Sequence, residues 1–295
     1  ELTDKVEDGW RMFHSEMADA VAFVKENFQG SGHFMELAGL GYPIKRGKAG
    51  NNGGSDIMFF NSRADLYEQF EGQDIALSAG MRNAKLDSFD IGFGDSGFLD
   101  VSDNAEDIVD AIIDAYNALP DREGRQQRIR KTNQEWKKIL NKESKGKFPA
   151  NSVLIPRAIR TTGRSYLSQN PVFVSTNFVV CSLPSLDKAI LLSTWMSTIF
   201  YQLICEVSSK DQEGMRKMEV SDIEKTYVPF LDTITQKTIN ALAAECDAIK
   251  FLNLAAPEIR KVDRIWADEL FGENGEDVLN RARRMLEYLV NRRNP

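Results

Sequence analysis

Arginine and asparagine can each bond a purine edge with two hydrogen bonds at once, Arg to guanine O6 and N7 and Asn to adenine N6 and N7. The chain carries such residues in three sets. Lys45, Arg46, Lys48, Asn51 and Asn52 crowd one Gly/Asn-rich stretch, and Arg157, Arg160 and Arg164 recur through an extended one. Lys210, Arg216 and Lys217 form the third. Lysine contributes phosphate affinity and register rather than base reading. Together the sets are expected to line a cleft facing double-stranded DNA. For any one of them the competing reading is a solvated surface charge.

Other reactive-looking spellings are weaker. Gly30-Ser31-Gly32-His33-Phe34 and Asp90-Ile91-Gly92-Phe93-Gly94 resemble glycine loops that let backbone approach S-adenosylmethionine. The first follows Asn27-Phe28-Gln29 instead of an apolar strand ending in Asp-Pro. A matching adenine clamp would need Asn/Asp-Pro-Pro-aromatic, and Asn170-Pro171-Val172-Phe173 lacks the second proline. Ordinary turns are the expected reading. Glu143-Ser144-Lys145 has the Glu-x-Lys order of a Mg²⁺-dependent nuclease but lies in a basic stretch. Gly53-Gly54-Ser55-Asp56 lacks a second carboxylate two residues on, where Met58 stands. With His14 and His33 the only histidines, a zinc site or a Ser-His-Asp triad finds little material. No catalytic residue, metal or cofactor is expected in this chain.

The formal charge of −7 excludes a uniformly basic nucleic-acid binder, yet it hides segregation. Acids dominate from Asp65 to Asp114, and bases from Arg122 to Arg164. A local basic patch suffices for phosphate contact. Arg122 to Lys147 is expected to be a solvated helix more than a base reader, and Asn177 and Trp195 are expected to be structural. Cys181, Cys205 and Cys246 are odd in number and set among apolar residues, which predicts free thiols in a reducing cytoplasm. The start lacks a signal-peptide pattern and a Met, so a fragment or processed chain is expected. The uncharged run Ala189 to Cys205 is short of the roughly 20 residues a membrane span needs. Its Ser, Thr and Gln residues fall at helical spacing opposite Leu192, Trp195, Ile199 and Leu203, which predicts a packed helix with a polar stripe.

The elements that must position the basic sets follow from periodicity. Val6, Trp10, Phe13, Met17, Val21 and Val24 predict a lead helix over residues 4–28. Residues 34–60 read as strand, loop, strand, and residues 61–100 as short strands and loops. Asp103 and Glu106 predict a capped helix with Ile108, Ile112, Tyr116 and Leu119 buried, stopped by Pro120. Pro171 to Leu183, rich in Val, Phe and Thr, reads as strand. Ser221 and Glu224 have capping-box spacing. Beyond Pro229 the pattern is helical to the end.

In order, Leu154-Ile155-Pro156-Arg157-Ala158-Ile159-Arg160, then Ser175-Thr176-Asn177-Phe178, then Gly214 through Pro229 resemble the target-recognition region of N6-adenine DNA methyltransferases of restriction–modification and phage-defence systems. Lys45-Arg46-Gly47 through Phe59-Phe60 is similar to the opening element of those regions, with extra glycines. Arg260, Val262, Asp263, Gly272, Leu286, Val290 and Arg293 match their C-terminal end. The resemblance covers roughly residues 36–293. It implies an α+β fold: a twisted mixed β-sheet recognition domain flanked by helices, followed by C-terminal helices. Expected boundaries are a helical lead-in at 1–35, the recognition domain at 36–230 and helices at 231–295. It further implies a sequence-specific module that works with a methyltransferase catalytic domain, in cis or in trans, which binds S-adenosylmethionine. Localisation would be cytoplasmic, in bacteria, with no membrane partner. The alternatives are a Mg²⁺-dependent type II restriction endonuclease and a protein-interaction domain of a defence complex, bound through the acidic face around Asp87–Asp114.

Overall fold

The computed structural model describes residues 15–50, 55–59, 64–120, 130–212 and 214–293. Its central strand is Phe178–Ser182, whose Phe, Val and Cys residues are buried. Such a run suits a strand covered on both faces. It lies antiparallel between Ile44–Arg46 and Ser152–Pro156, and Tyr166–Ser168 pairs with the far side of the latter. The register sets Phe178 opposite Pro156 and Val179 opposite both Ile155 and Arg46.

The remaining strands form smaller sheets. Leu77–Met81 pairs antiparallel with Ser96–Leu99 and parallel with Phe173–Val174, so this sheet is mixed. Met215–Lys217 pairs with Ala158–Ile159 and with Lys210–Gln212. Phe34–Glu36 joins Tyr227–Pro229, and Thr162–Gly163 joins Leu252–Asn253. The fold is α+β, with its strand content divided among small sheets. Residues 55–58, expected as part of a strand, form a helical turn, and Phe59 alone bridges to Phe98.

The uncharged segment is two helices, Leu186–Met196 and Ile199–Ser208, bent by 65° at Ser197-Thr198. Its expected polar stripe is as buried as its apolar face. The hydroxyls of Ser193 and Thr194 return to the carbonyls of Ala189 and Ile190, at 2.7 Å each. Thr198 caps the second helix, and Asp263 accepts the Ile199 amide at 2.9 Å. Buried hydroxyls satisfied in this way carry little desolvation cost. Among the described residues no single helix is long and apolar enough to cross a membrane.

One apolar cluster runs from Ala20 to Val290. It joins the lead helix Ser15–Val24 and the helices Gln236–Glu245, Lys261–Phe271 and Gly275–Arg293 to the bent pair. Phe28 packs edge-on against Phe34, Trp195 and Phe200. Val6, Trp10 and Phe13 lie outside the described residues. A second cluster gathers Phe59, Phe98, Tyr116, Trp136 and Phe173 under the helices Glu106–Ala118 and Asn133–Glu143.

Two expected caps are displaced. The helix Val220–Glu224 is capped by Glu219 with Asp222, not by Ser221 with Glu224. The helix Glu106–Ala118 starts after Ala105, while Asp103 closes a preceding 3₁₀ turn. Its buried face is therefore Val109, Ile112, Ile113 and Tyr116, leaving Ile108 and Leu119 only partly covered. The three cysteines are unpaired, and burial pushes the Cys181 and Cys205 thiols up to about 12 and about 11.

Asp100 pins the second cluster. Its side chain is 1% exposed, pairs with Lys147 at 2.8 Å and accepts the Ser102 amide and hydroxyl. Burial works to raise its carboxyl, but the bonds from Lys147 and Ser102 outweigh that and hold it below the ordinary carboxylate range. A carboxylate depressed by folding stabilises above its unfolded value, near pH 4, and loses that contribution as pH falls through the folded value. Asp100→Asn is therefore expected to lower stability at neutral pH by about 1–3 kcal/mol. It should also flatten the acid limb of a urea-denaturation pH series relative to the parent chain.

Candidate nucleic-acid interface

The central strand ends at a tight turn, Ser175-Thr176-Asn177, where separate parts of the chain meet. Beyond Pro156, which closes its strand, the Arg157 amide donates to Asn177 O at 2.9 Å and Arg157 O accepts the Met218 amide at 2.9 Å. On the opposite side the Gly47 amide donates to Phe178 O at 2.9 Å. Four chain segments therefore lie side by side, around residues 47, 177, 157 and 218. At the usual strand spacing this row is roughly 14 Å wide. A Cβ on Gly47 would stand 2.6 Å from Val174 O and closer still to Ser175 O, so only glycine lets this edge approach.

The turn's polar groups fix the neighbouring loops. Arg157 Nη1 donates to Thr176 O at 2.9 Å, and Arg46 Nε reaches the same oxygen at 3.4 Å. Ser175 Oγ and Asn177 Nδ2 both donate to Arg82 O, at 2.7 and 2.9 Å. The loop holding Arg82 is clamped in turn by Asp95, whose carboxylate accepts the Arg82 and Asn83 amides at 2.6 and 2.7 Å. Burial pushes the Asp95 carboxyl up, against the lowering effect of those amides.

The expected contact residues divide sharply. Lys45, Arg46 and Lys48 are exposed at one edge of the row, and Arg160 and Lys217 are exposed towards the other. Asn51 and Asn52 lie outside the described residues, and of Lys210 only the backbone is described. Arg157, Arg164 and Arg216 are corrected from base readers to framework residues, because they are buried and both Nη atoms of each are hydrogen-bonded within the protein. Arg157 pairs with Glu219 as well as Thr176 O. Arg164 donates to the carbonyls of Leu86, Asp87, Ser88 and Ile249, sandwiched near the rings of Phe251 and Tyr166 at 4.2 and 4.9 Å. Arg216 binds Gln202 Oε1 at 2.7 Å and lies 3.6 Å from Glu206. Arg293 bonds the same Glu206 at 2.6 Å and the carbonyls of Gly214 and Arg160 at 2.8 Å each. The last helix thus holds the segment that displays Arg160 and Lys217.

Asn177, expected as structural, is exposed at the middle of the row, with Asn83 and Lys85 exposed on the clamped loop. The stretch expected as one strand, Pro171 to Leu183, is broken here into Phe173–Val174 and Phe178–Ser182. Trp195 is buried and donates to Tyr227 O at 3.1 Å. Phe173, the aromatic of the partial adenine clamp, is buried and stacked on Phe98 at 3.9 Å, with no free face for a base. Glu143 is also buried.

The chain matches the family described as restriction endonuclease BpuSI, specificity domain, over residues 45–259. It belongs to that family. The crystal structure of the type IIG restriction endonuclease BpuSI is similar to it with a TM-score of 0.83 and 31% sequence identity, over 99% of this chain and 35% of that one. The chain therefore spans about a third of that relative's length. No curated protein matches it. The BpuSI specificity-domain match opens at Lys45 and takes in all four segments of the row. The resemblance to a restriction–modification target-recognition region, read from the ordered motifs, is borne out.

Within this specificity domain Arg164 joins segments distant in sequence through carbonyls that would lose their donor on truncation. Arg164→Ala is expected to destabilise by about 3 kcal/mol or more. Lys217→Ala, on an exposed residue, should change the melting midpoint little. Equal losses in thermal melts would contradict this division.

Proposed function

We propose that the chain reads a short sequence in double-stranded DNA, as the specificity module of a restriction–modification enzyme. The observation that carries this is the four-segment row, with exposed Lys45, Arg46 and Lys48 at one side and Arg160 and Lys217 at the other. Its width of roughly 14 Å is comparable to a major groove of about 12 Å, so its two basic edges suit the flanking phosphates. The net charge of −7 favours local over general attraction to DNA. In this reading a catalytic domain, in cis or in trans, modifies an adenine using S-adenosylmethionine, and the present residues supply site choice. The setting would be the bacterial cytoplasm.

Selection from a randomised duplex library, followed by titration of the enriched site across a salt series, tests this. One short motif should be enriched. Lys45→Ala, Lys48→Ala and Lys217→Ala should each weaken binding almost uniformly across sequences and reduce the log–log salt slope by about 1. Salt-sensitive binding with no enriched motif would reduce the row to a phosphate surface, and no binding would favour the protein-interaction reading.

A further inference from the structure

Asn177 holds the central place in the row, and its amide geometry restricts what it can recognise. A carbonyl oxygen can only accept, so the Asn177 amide must turn its nitrogen towards Arg82 O, 2.9 Å away. One N–H is spent there. Arg82 O is itself fixed by Ser175 Oγ, and the Arg82 segment by Asp95. The amide is thereby oriented before any ligand arrives. Among the described residues nothing engages its Oδ1 or its second N–H, and the side chain is exposed. An acceptor and a donor side by side on one planar group match the donor N6–H and acceptor N7 of adenine in the major groove. A thymine, cytosine or guanine edge does not offer that pair.

We propose that Asn177 is a specificity-determining residue that bonds one adenine through Oδ1 and Nδ2, with the Arg82 carbonyl as its orienting partner. This rests on the DNA-reading function above. Framing by Lys45, Arg46 and Lys48 on one side and Lys217 on the other sets the asparagine between two phosphate-contacting edges. Pre-orientation lowers the ordering cost of the contact, which is how a single exposed amide can discriminate strongly.

The test couples protein and base changes. The parent chain, Asn177→Ala and the near-isosteric Asn177→Asp are each taken through randomised-duplex selection, with thermal melts confirming folding. The parent should enrich a motif with an adenine at one position, and both variants should lose preference there by roughly tenfold or more while keeping the other positions, with the salt slope also kept in the uncharged Asn177→Ala. Replacing that adenine with 7-deaza-adenine should weaken the parent and leave Asn177→Ala unchanged. A merely structural asparagine would lower affinity at every position and show no such coupling. Retained adenine preference in both variants, or equal weakening of parent and variant by 7-deaza-adenine, would overturn the inference while leaving DNA reading intact. A parent chain that enriches no motif would overturn the DNA-reading function itself and the inference with it.

Discussion

The carbonyl oxygens of Thr176 and Arg82 are acceptors in a tight turn and its neighbouring loop, and backbone acceptors near a packed core must find donors. The donors come from distant parts of the chain: Arg46 and Arg157 for the first, Ser175 and Asn177 for the second. Satisfying two oxygens therefore draws the Lys45–Lys48 edge, the Arg157 segment and the loop at Arg82 onto one turn. Gly47 permits the closest of these approaches, since any Cβ there would overlap the turn's own carbonyls. The row of segments that displays the exposed cations is a consequence of that hydrogen-bond requirement.

Behind the row the fold uses cations as framework. A guanidinium carries five donors in a rigid fork and can join several carbonyls at once, which a lysine cannot. Arg164 ties the loop at Leu86–Ser88 to Ile249 in this way, and burial depresses its proton affinity without removing its charge. Arg216 and Arg293 converge on the buried Glu206, so a carboxylate balances the charge where two cations meet. Such buried pairs rarely add stability over apolar packing, but losing one partner is costly. Their use here is geometric: they fix the segments that carry Arg160 and Lys217.

Much of this was legible in the sequence. The ordered motifs pointed to the family, and the periodicity placed the helix ending near Ala118 and the helical run beyond Pro229, which the short strand Leu252–Asn253 interrupts. What periodicity could not supply was the break at Ser197-Thr198, because Ser and Thr spaced for a polar stripe are equally able to bond backward to their own helix. Charge alone also could not separate Arg157, Arg164 and Arg216 from Arg46, Arg160 and Lys217. The difference lies in which carbonyls each side chain meets, and those carbonyls belong to residues far away in the chain, such as Leu86 and Ile249 for Arg164. Asn177, expected to be structural, does make a structural bond to Arg82 O, and its side chain is exposed as well.

Hydrogen exchange of the chain with and without its enriched duplex tests the organising claim most directly, because it reports the contacting surface without any substitution. Slowed exchange should concentrate in peptides spanning residues 44–50, 157–160, 175–178 and 215–218. The last helix around the exposed Arg284, Tyr288 and Arg292, outside the row, should stay unchanged. Protection confined to that helix, with the row exchanging as in the free chain, would contradict the account.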